Sequence, residues 1–262
     1  MKTIAFINSK GGCGKTTSLF HIAGALAKTA GCKVLVIDLD KQGDATNALL
    51  SEQESGYEEN SKTKNVLHFL RGEAAFEDVV KRNYLKKNGC RKPSYEGIDV
   101  LPYSPKLENQ RLLKDIAVRE KLMEIGEEYD YVLIDCPPSN RAVEQMVFEQ
   151  MADYILVPMS SDLDSIRGYG ALVEKVSAAR EVNENLAILG IYMSMYNKRV
   201  GTQKEILSLM EQNFDMFLDV QIPMSSAIVD SKLDGRPISY YKKSVAKDAV
   251  EELTKRIIER VQ

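Results

Sequence analysis

The chain is poor in the residues from which metal centres and disulfide frameworks are made. Its 262 residues include four cysteines and two histidines. Cys13, Cys32, Cys90 and Cys136 are scattered, with no CxxC pair and no histidine at ligand spacing, so they read as free thiols in a reducing compartment. His21 and His68 fall in helical stretches and read as packed or surface residues. No run of eighteen or more apolar residues occurs, which removes any candidate membrane span. The opening stretch Met1–Asn8 is too short and too soon interrupted for a signal peptide, and reads as a buried first strand. Excess charge of one sign is missing too. A formal net charge of −3 argues against a protein that coats nucleic acid with its whole surface, and leaves room only for a local basic patch. No internal repeat and no low-complexity tail are present.

What the chain does have is alternation. Short β-branched runs take turns with longer helical patterns, the signature of βαβ units and a parallel sheet. Strands are expected at Thr3–Asn8, Lys33–Asp38, Ile98–Pro102, Tyr131–Asp135, Tyr154–Pro158, Ala187–Ser194 and Leu218–Pro223. Several are apolar throughout, as when helices cover both faces of a sheet. Helices are expected at Lys15–Thr29, Leu107–Glu127, Arg141–Met151, Ser165–Val182, Thr202–Asn213 and Val245–Val261. Ser51–Lys64 and Lys86–Gly97 read as loops. The expected fold class is α/β: a P-loop NTPase domain over residues 1–262, with a mostly parallel twisted sheet and helices on both faces.

The first strand runs into Lys10-Gly11-Gly12-Cys13-Gly14-Lys15-Thr16-Thr17. Glycines at this spacing let successive backbone N–H groups turn inward and cradle phosphates, and the helix beginning near Lys15 adds its positive end. Lys15 is placed to contact the β- and γ-phosphates of ATP, and the Thr16 hydroxyl to ligate Mg²⁺. Ser9 occupies the first glycine position of the usual G-x-x-x-x-G-K-[ST] pattern, and a lysine follows it at Lys10. Two carboxylate motifs follow. Asp38-Leu39-Asp40-Lys41-Gln42-Gly43 stands at the end of the second strand, where ligand groups collect in open parallel sheets. Tyr131–Asp135 ends in Asp135 and is followed by Cys136-Pro137-Pro138-Ser139. Asp44 is a candidate N-cap for the next helix.

Together these motifs resemble the ParA/MinD family of deviant Walker A ATPases, in particular the small ParA (Soj-like) partition ATPases. The likeness extends over nearly the whole chain, including Asn65–Gly72, Pro158–Gly168, Met195–Arg199 and Ile222-Pro223. The resemblance implies an ATP-hydrolysing enzyme that forms a homodimer with ATP. In it Lys10 would reach the partner's phosphates, Asp40 would orient the attacking water, and Thr16, Asp40 and Asp135 would border Mg²⁺. Gly11, Gly12, Cys13, Gly14, Lys15, Thr16 and Thr17 would hold the phosphates, and Ile222 and Pro223 would lie against adenine.

The resemblance also implies nonspecific DNA binding in the ATP state and a ParB-like centromere-binding partner. Arg199 falls on a DNA-contact position of the family. The arginines that other members carry after the Ile-Pro pair are replaced here by Met224-Ser225-Ser226-Ala227, so Lys232, Arg236, Lys242 and Lys243 are the candidate substitutes. Because the first motif starts within ten residues of Met1, no N-terminal helix-turn-helix domain is expected. The final helix has glutamates interspersed and no Phe or Trp, so no stable membrane anchor is expected and the setting would be cytoplasmic, with possible nucleoid association. MinD-like cycling on a membrane, or positioning of a protein cargo, is the rival reading.

Overall fold

The computed structural model describes residues 1–50, 63–82, 97–108 and 117–261. The expected loops Ser51–Lys64 and Lys86–Gly97 lie almost wholly outside the described residues, as do Cys90 and the middle of the helix expected over Leu107–Glu127. Seven parallel strands form one sheet: β1 Lys2–Phe6, β2 Val34–Asp38, β3 Ile98–Leu101, β4 Tyr131–Asp135, β5 Tyr154–Met159, β6 Ala187–Tyr196 and β7 Phe217–Pro223. Their order is β3-β2-β4-β1-β5-β6-β7. The β3 edge carries an antiparallel bridge from Lys81 to Val100, which caps part of an otherwise open strand.

Period-two alternation sorts the core onto the two faces of the sheet. Ile4 and Phe6 of β1 pack on one face with Leu19, Phe20 and Leu26 of α1 (Lys15–Thr29) and Leu253 and Ile257 of α10 (Val245–Val261). Ala5 and Ile7 turn to the other face. There they meet α5 (Arg119–Ile125), α6 (Arg141–Met146), α7 (Leu163–Ala179) and α8 (Gly201–Asn213). Both faces are dry, so β2 and β4 are buried along their full lengths, which is why they read as continuous apolar runs.

Several boundaries differ from the sequence expectation. The Arg141–Met151 pattern is α-helical only to Met146 and closes with a π turn over Val147–Met151. Of the Leu107–Glu127 pattern, Pro105–Glu108 is a 3₁₀ turn and Arg119–Ile125 an α-helix. Three short helices, α2 (Asp44–Leu49), α3 (Val66–Leu70) and α4 (Phe76–Val79), follow the second strand. A further one, α9 (Ser226–Leu233), follows β7. Asp44 is not a cap: Gly43 is the N-cap of α2, in a left-handed conformation (φ 65°), and Asp44 is the first helical residue. Gly43 also has no room for a side chain, because a Cβ there would lie 2.1 Å from the Tyr103 ring.

Candidate active site

The strand order explains where the site lies. β1 is central, with β4 and β2 on one side and β5, β6 and β7 on the other. The loops leaving the C-terminal ends of β1, β2, β4 and β6 therefore converge on one crevice. A cavity of about 670 Å³ occupies it, lined by all of Gly11–Thr17, by Leu39–Gln42 and by Pro137–Asn140.

Each wall is built from local contacts. The Asn8 carboxamide accepts from Lys10 N–H (2.9 Å) and donates to the Pro158 carbonyl (2.7 Å), pinning the loop to β5. Gly14 is the N-cap of α1 at φ 86°, a left-handed conformation that costs a glycine little. No side chain caps this helix and no acid stands in its first turn, so its positive end is left for a ligand. The Ser194 hydroxyl donates to the Cys13 carbonyl, with the Met159 carbonyl also 3.2 Å away, tying the loop to β6. Lys15 is buried, its ammonium donating to the carbonyls of Asn8 (3.1 Å) and Lys10 (3.4 Å).

The carboxylates play distinct parts. Asp38 is fully buried and works on the loop. One oxygen accepts from Thr46 N–H (2.8 Å) and Thr46 hydroxyl (2.7 Å), and the other from Asp40 N–H (3.1 Å). Asp40 is half-buried, lines the cavity, and accepts from Gln42 N–H (3.0 Å). Asp135 is fully buried. One of its oxygens accepts from the Thr16 hydroxyl (2.7 Å), and the other has no hydrogen-bond partner. Burial, then the neighbouring Asp38, raises the Asp135 carboxyl well above the usual carboxylate range. Burial likewise raises Asp38. A buried acid with an orphaned oxygen beside a threonine hydroxyl is a place for a cation, which would supply the missing counter-charge. Among the described residues no three His, Cys, Asp or Glu side chains converge as a metal cage. The residues thus fit Mg²⁺, which takes one or two carboxylates and completes its shell with water and phosphate.

Lys10 stands outside the cavity lining, half-exposed, with its ammonium 2.6 Å from Asp162. Burial would raise the Asp162 carboxyl, but hydrogen bonds from Lys10, Ser160 and Ser165 outweigh it and bring it down to about 2. Cys13, which lines the cavity, and Cys136, in the core just before Pro137, are buried at 1% and 2% exposure, and burial pushes both thiols upward, so neither is a ready nucleophile.

Other expected residues fall elsewhere. Ile222 is a core residue, and neither it nor Pro223 lines the cavity; Met195 and Lys232 close that end instead. Arg199, Lys242 and Lys243 are exposed. Arg236 is committed internally, donating to the Tyr240 carbonyl (2.8 Å) with its guanidinium 4.9 Å from the centre of the Tyr241 ring. Sequence reasoning missed Ser194 and Asp162, whose polar side chains gain their roles only through contacts 181 and 152 residues away in the chain.

The AAA domain family matches residues 1–188. The chromosome partitioning protein ParA of Caulobacter vibrioides is 27% identical, over 99% of this chain and 95% of its own length. The chromosome-partitioning ATPase Soj of Treponema pallidum is 28% identical, over 99% and 98%. Among solved structures, cobyrinic acid a,c-diamide synthase of Mycobacterium smegmatis with bound ATP analogue and magnesium superposes with a TM-score of 0.80. That match is 24% identical, covers 100% of this chain and 96% of the other, and attests the fold alone. With the AAA domain matched over most of its length and the partition proteins aligned along nearly all of it, this chain belongs to the ParA/MinD family of P-loop ATPases.

Proposed function

We propose that the chain is a partition ATPase that binds Mg-ATP in the cavity, dimerises around it, and in that state holds DNA without sequence preference. The observation that carries the reading is the convergence of the whole Gly11–Thr17 loop, Asp40 and the loop after Asp135 on one crevice. In this reading the loop's N–H groups and the Lys15 ammonium hold the phosphates. Thr16 and Asp135 hold Mg²⁺, which when bound neutralises phosphate charge. Asp40, half-buried at the phosphate end, orients a water in line with the terminal phosphorus. Lys10 leaves Asp162 and reaches the phosphates bound by the second copy, in the manner of a charge supplied in trans.

DNA contact falls to Arg199, Lys242 and Lys243, the exposed members of the candidate set. The test is fluorescence anisotropy of random duplex DNA with ATPγS or ADP across a salt series. Tight binding is expected only with ATPγS, with affinity falling steeply as salt rises. Lys242→Ala/Lys243→Ala should lower the salt slope by about 2. Binding that is equal with both nucleotides, or absent with both, would refute the DNA reading. A ParB-like partner that stimulates hydrolysis belongs to the same proposal.

One observation favours a second reading, docking of a protein or a membrane. Met224, Val229 and Leu233 are 71%, 58% and 80% exposed beside the C-terminal end of β7. Co-sedimentation with anionic liposomes that is lost in Leu233→Ser would favour it.

A further inference from the structure

We propose that Lys232 recognises the ribose–purine half of the nucleotide, as the donor that closes the far end of the cavity. The proposal rests on the nucleotide reading of that cavity and removes Lys232 from the DNA-binding set.

The face of α9 on which Lys232 stands decides where it points. Residues four apart share a helix face. Ile228 and Lys232 form one such pair, and Val229 and Leu233 the next. Ile228 is 7% exposed and belongs to the core cluster that contains Leu19 and Phe20 of α1. Val229 and Leu233 are the outward pair, with most of their surface in water. Lys232 thus lies on the side of α9 turned toward the P-loop helix, half-buried, and it lines the cavity. Its charge also reaches His21, on the second turn of α1.

Strand order then decides which half of the nucleotide it meets. Asp40 follows β2 and Pro137–Asn140 follow β4, both on one side of the central β1. Met195 lies near the end of β6 and Lys232 follows β7, both on the other side. A triphosphate held on Gly11–Thr17 with its terminal phosphate toward Asp40 and Asp135 must project its nucleoside toward Met195 and Lys232. Met195 is one of two non-glycine residues at positive φ among the described residues (54°), so the end of β6 departs from regular strand where it borders the cavity. Ribose hydroxyls and purine ring nitrogens present acceptors, and an ammonium presents only donors. The Ile222–Pro223 pair does not line this end, so Lys232 is the polar side chain that the β6–β7 side contributes to it.

The experiment is isothermal titration calorimetry of the full chain with Mg-ATP, Mg-ADP and inorganic tripolyphosphate. Lys232→Met keeps the length of the stem and removes donors and charge; Lys232→Arg restores both. ATP and ADP should each bind about tenfold more weakly to Lys232→Met, tripolyphosphate should bind within twofold of the unsubstituted chain, and Lys232→Arg should recover most of the loss. Circular dichroism checks that both variants fold. Unchanged ATP and ADP affinity, with weaker DNA binding at saturating ATPγS, would overturn the proposal and return Lys232 to the DNA face. An equal loss for all three ligands would overturn it too, by placing the ammonium on the phosphates. If the unsubstituted chain binds none of the three, the nucleotide reading itself fails, an outcome distinct from failure at Lys232.

Discussion

The first turn of α1 and the rest of that helix meet opposite demands. At its start Gly14 caps the helix without a side chain, no acid stands in the first turn, and the helix end faces a cavity. Beyond its first turn, His21 and Lys28 are both tied to one distant turn. His21 Nδ1 accepts from Ile238 N–H (3.1 Å), and the Lys28 ammonium donates to the Ser239 carbonyl (2.6 Å) and sits 4.8 Å from the centre of the Tyr240 ring. Gly24 has no space for a methyl, since a Cβ there would lie 2.2 Å from Pro237. A helix end whose backbone N–H groups await a partner is where a ligand fits, whereas the rest of the helix, packed and hydrogen-bonded against that turn, is scaffold, although His21 Nε2 is left buried without a hydrogen-bond partner. The same helix thus runs from the cavity to the turn that leads from Arg236 to Lys242 and Lys243.

The largest expected effect comes from breaking the first turn. Lys15→Ala should weaken ATP binding by about a hundredfold or more, since on the proposed reading it removes the buried ammonium that would hold the phosphates. The fold should survive, because α1 packs through Leu19, Phe20, Ile22 and Leu26. Titration calorimetry beside a thermal melt makes the check. Ordinary ATP affinity in this variant would remove the loop from the site.

The rest of the helix should answer to pH instead. Burial holds His21 down to about 4, against an ordinary value near 6.5. Between those values the unfolded chain binds the extra proton, so stability falls on acidification from pH 6.5 toward 4. The contribution at stake is about 3 kcal/mol. Asp38 and Asp135, raised by burial, act in the opposite sense, so the measurement is a difference between two chains. His21→Asn keeps an acceptor for Ile238 N–H and does not titrate. Its stability deficit in urea unfolding should shrink by up to about 3 kcal/mol between pH 7 and pH 4, with ATP affinity near that of the parent chain. A deficit that stays constant with pH would show that the imidazole is not the acid-sensitive group.

The same contrast explains how much could be read from the sequence. Parallel strands and the start of α1 announce themselves, because apolar runs and a glycine-rich loop followed by Lys15-Thr16 are local patterns. The placement of Asp40 beside the cavity followed from strand-end geometry alone. The rest of α1 was legible as helix and not as scaffold, since the partners of Lys28 and His21 lie 211 and 217 residues away. α9 was missed because its eight residues are too short to announce a helical period, although Ser225 caps the helix by accepting from Ala227 N–H. Arg236 looked like a surface cation for want of any local sign that Tyr240 and Tyr241 would fold back onto it.

The smallest effect concerns Lys10, just before the helix, and it sharpens what the open end is open to. Asp162 caps α7 through Ser165 N–H (3.0 Å) with one oxygen and accepts from Lys10 with the other. Asp162→Asn preserves the capping oxygen and removes the charge, so α7 should keep its start. Lys10 and Asp162 are 42% and 33% exposed, which limits such a pair to about 0.2–1 kcal/mol. If Lys10 must leave Asp162 to reach a second copy's phosphates, removing that charge should lower the ATP concentration needed for dimerisation by about two- to fivefold. Light scattering across an ATP titration reads the shift directly. A higher ATP requirement would mean that Asp162 holds Lys10 ready for its partner, and an unchanged one that the pair has no bearing on assembly.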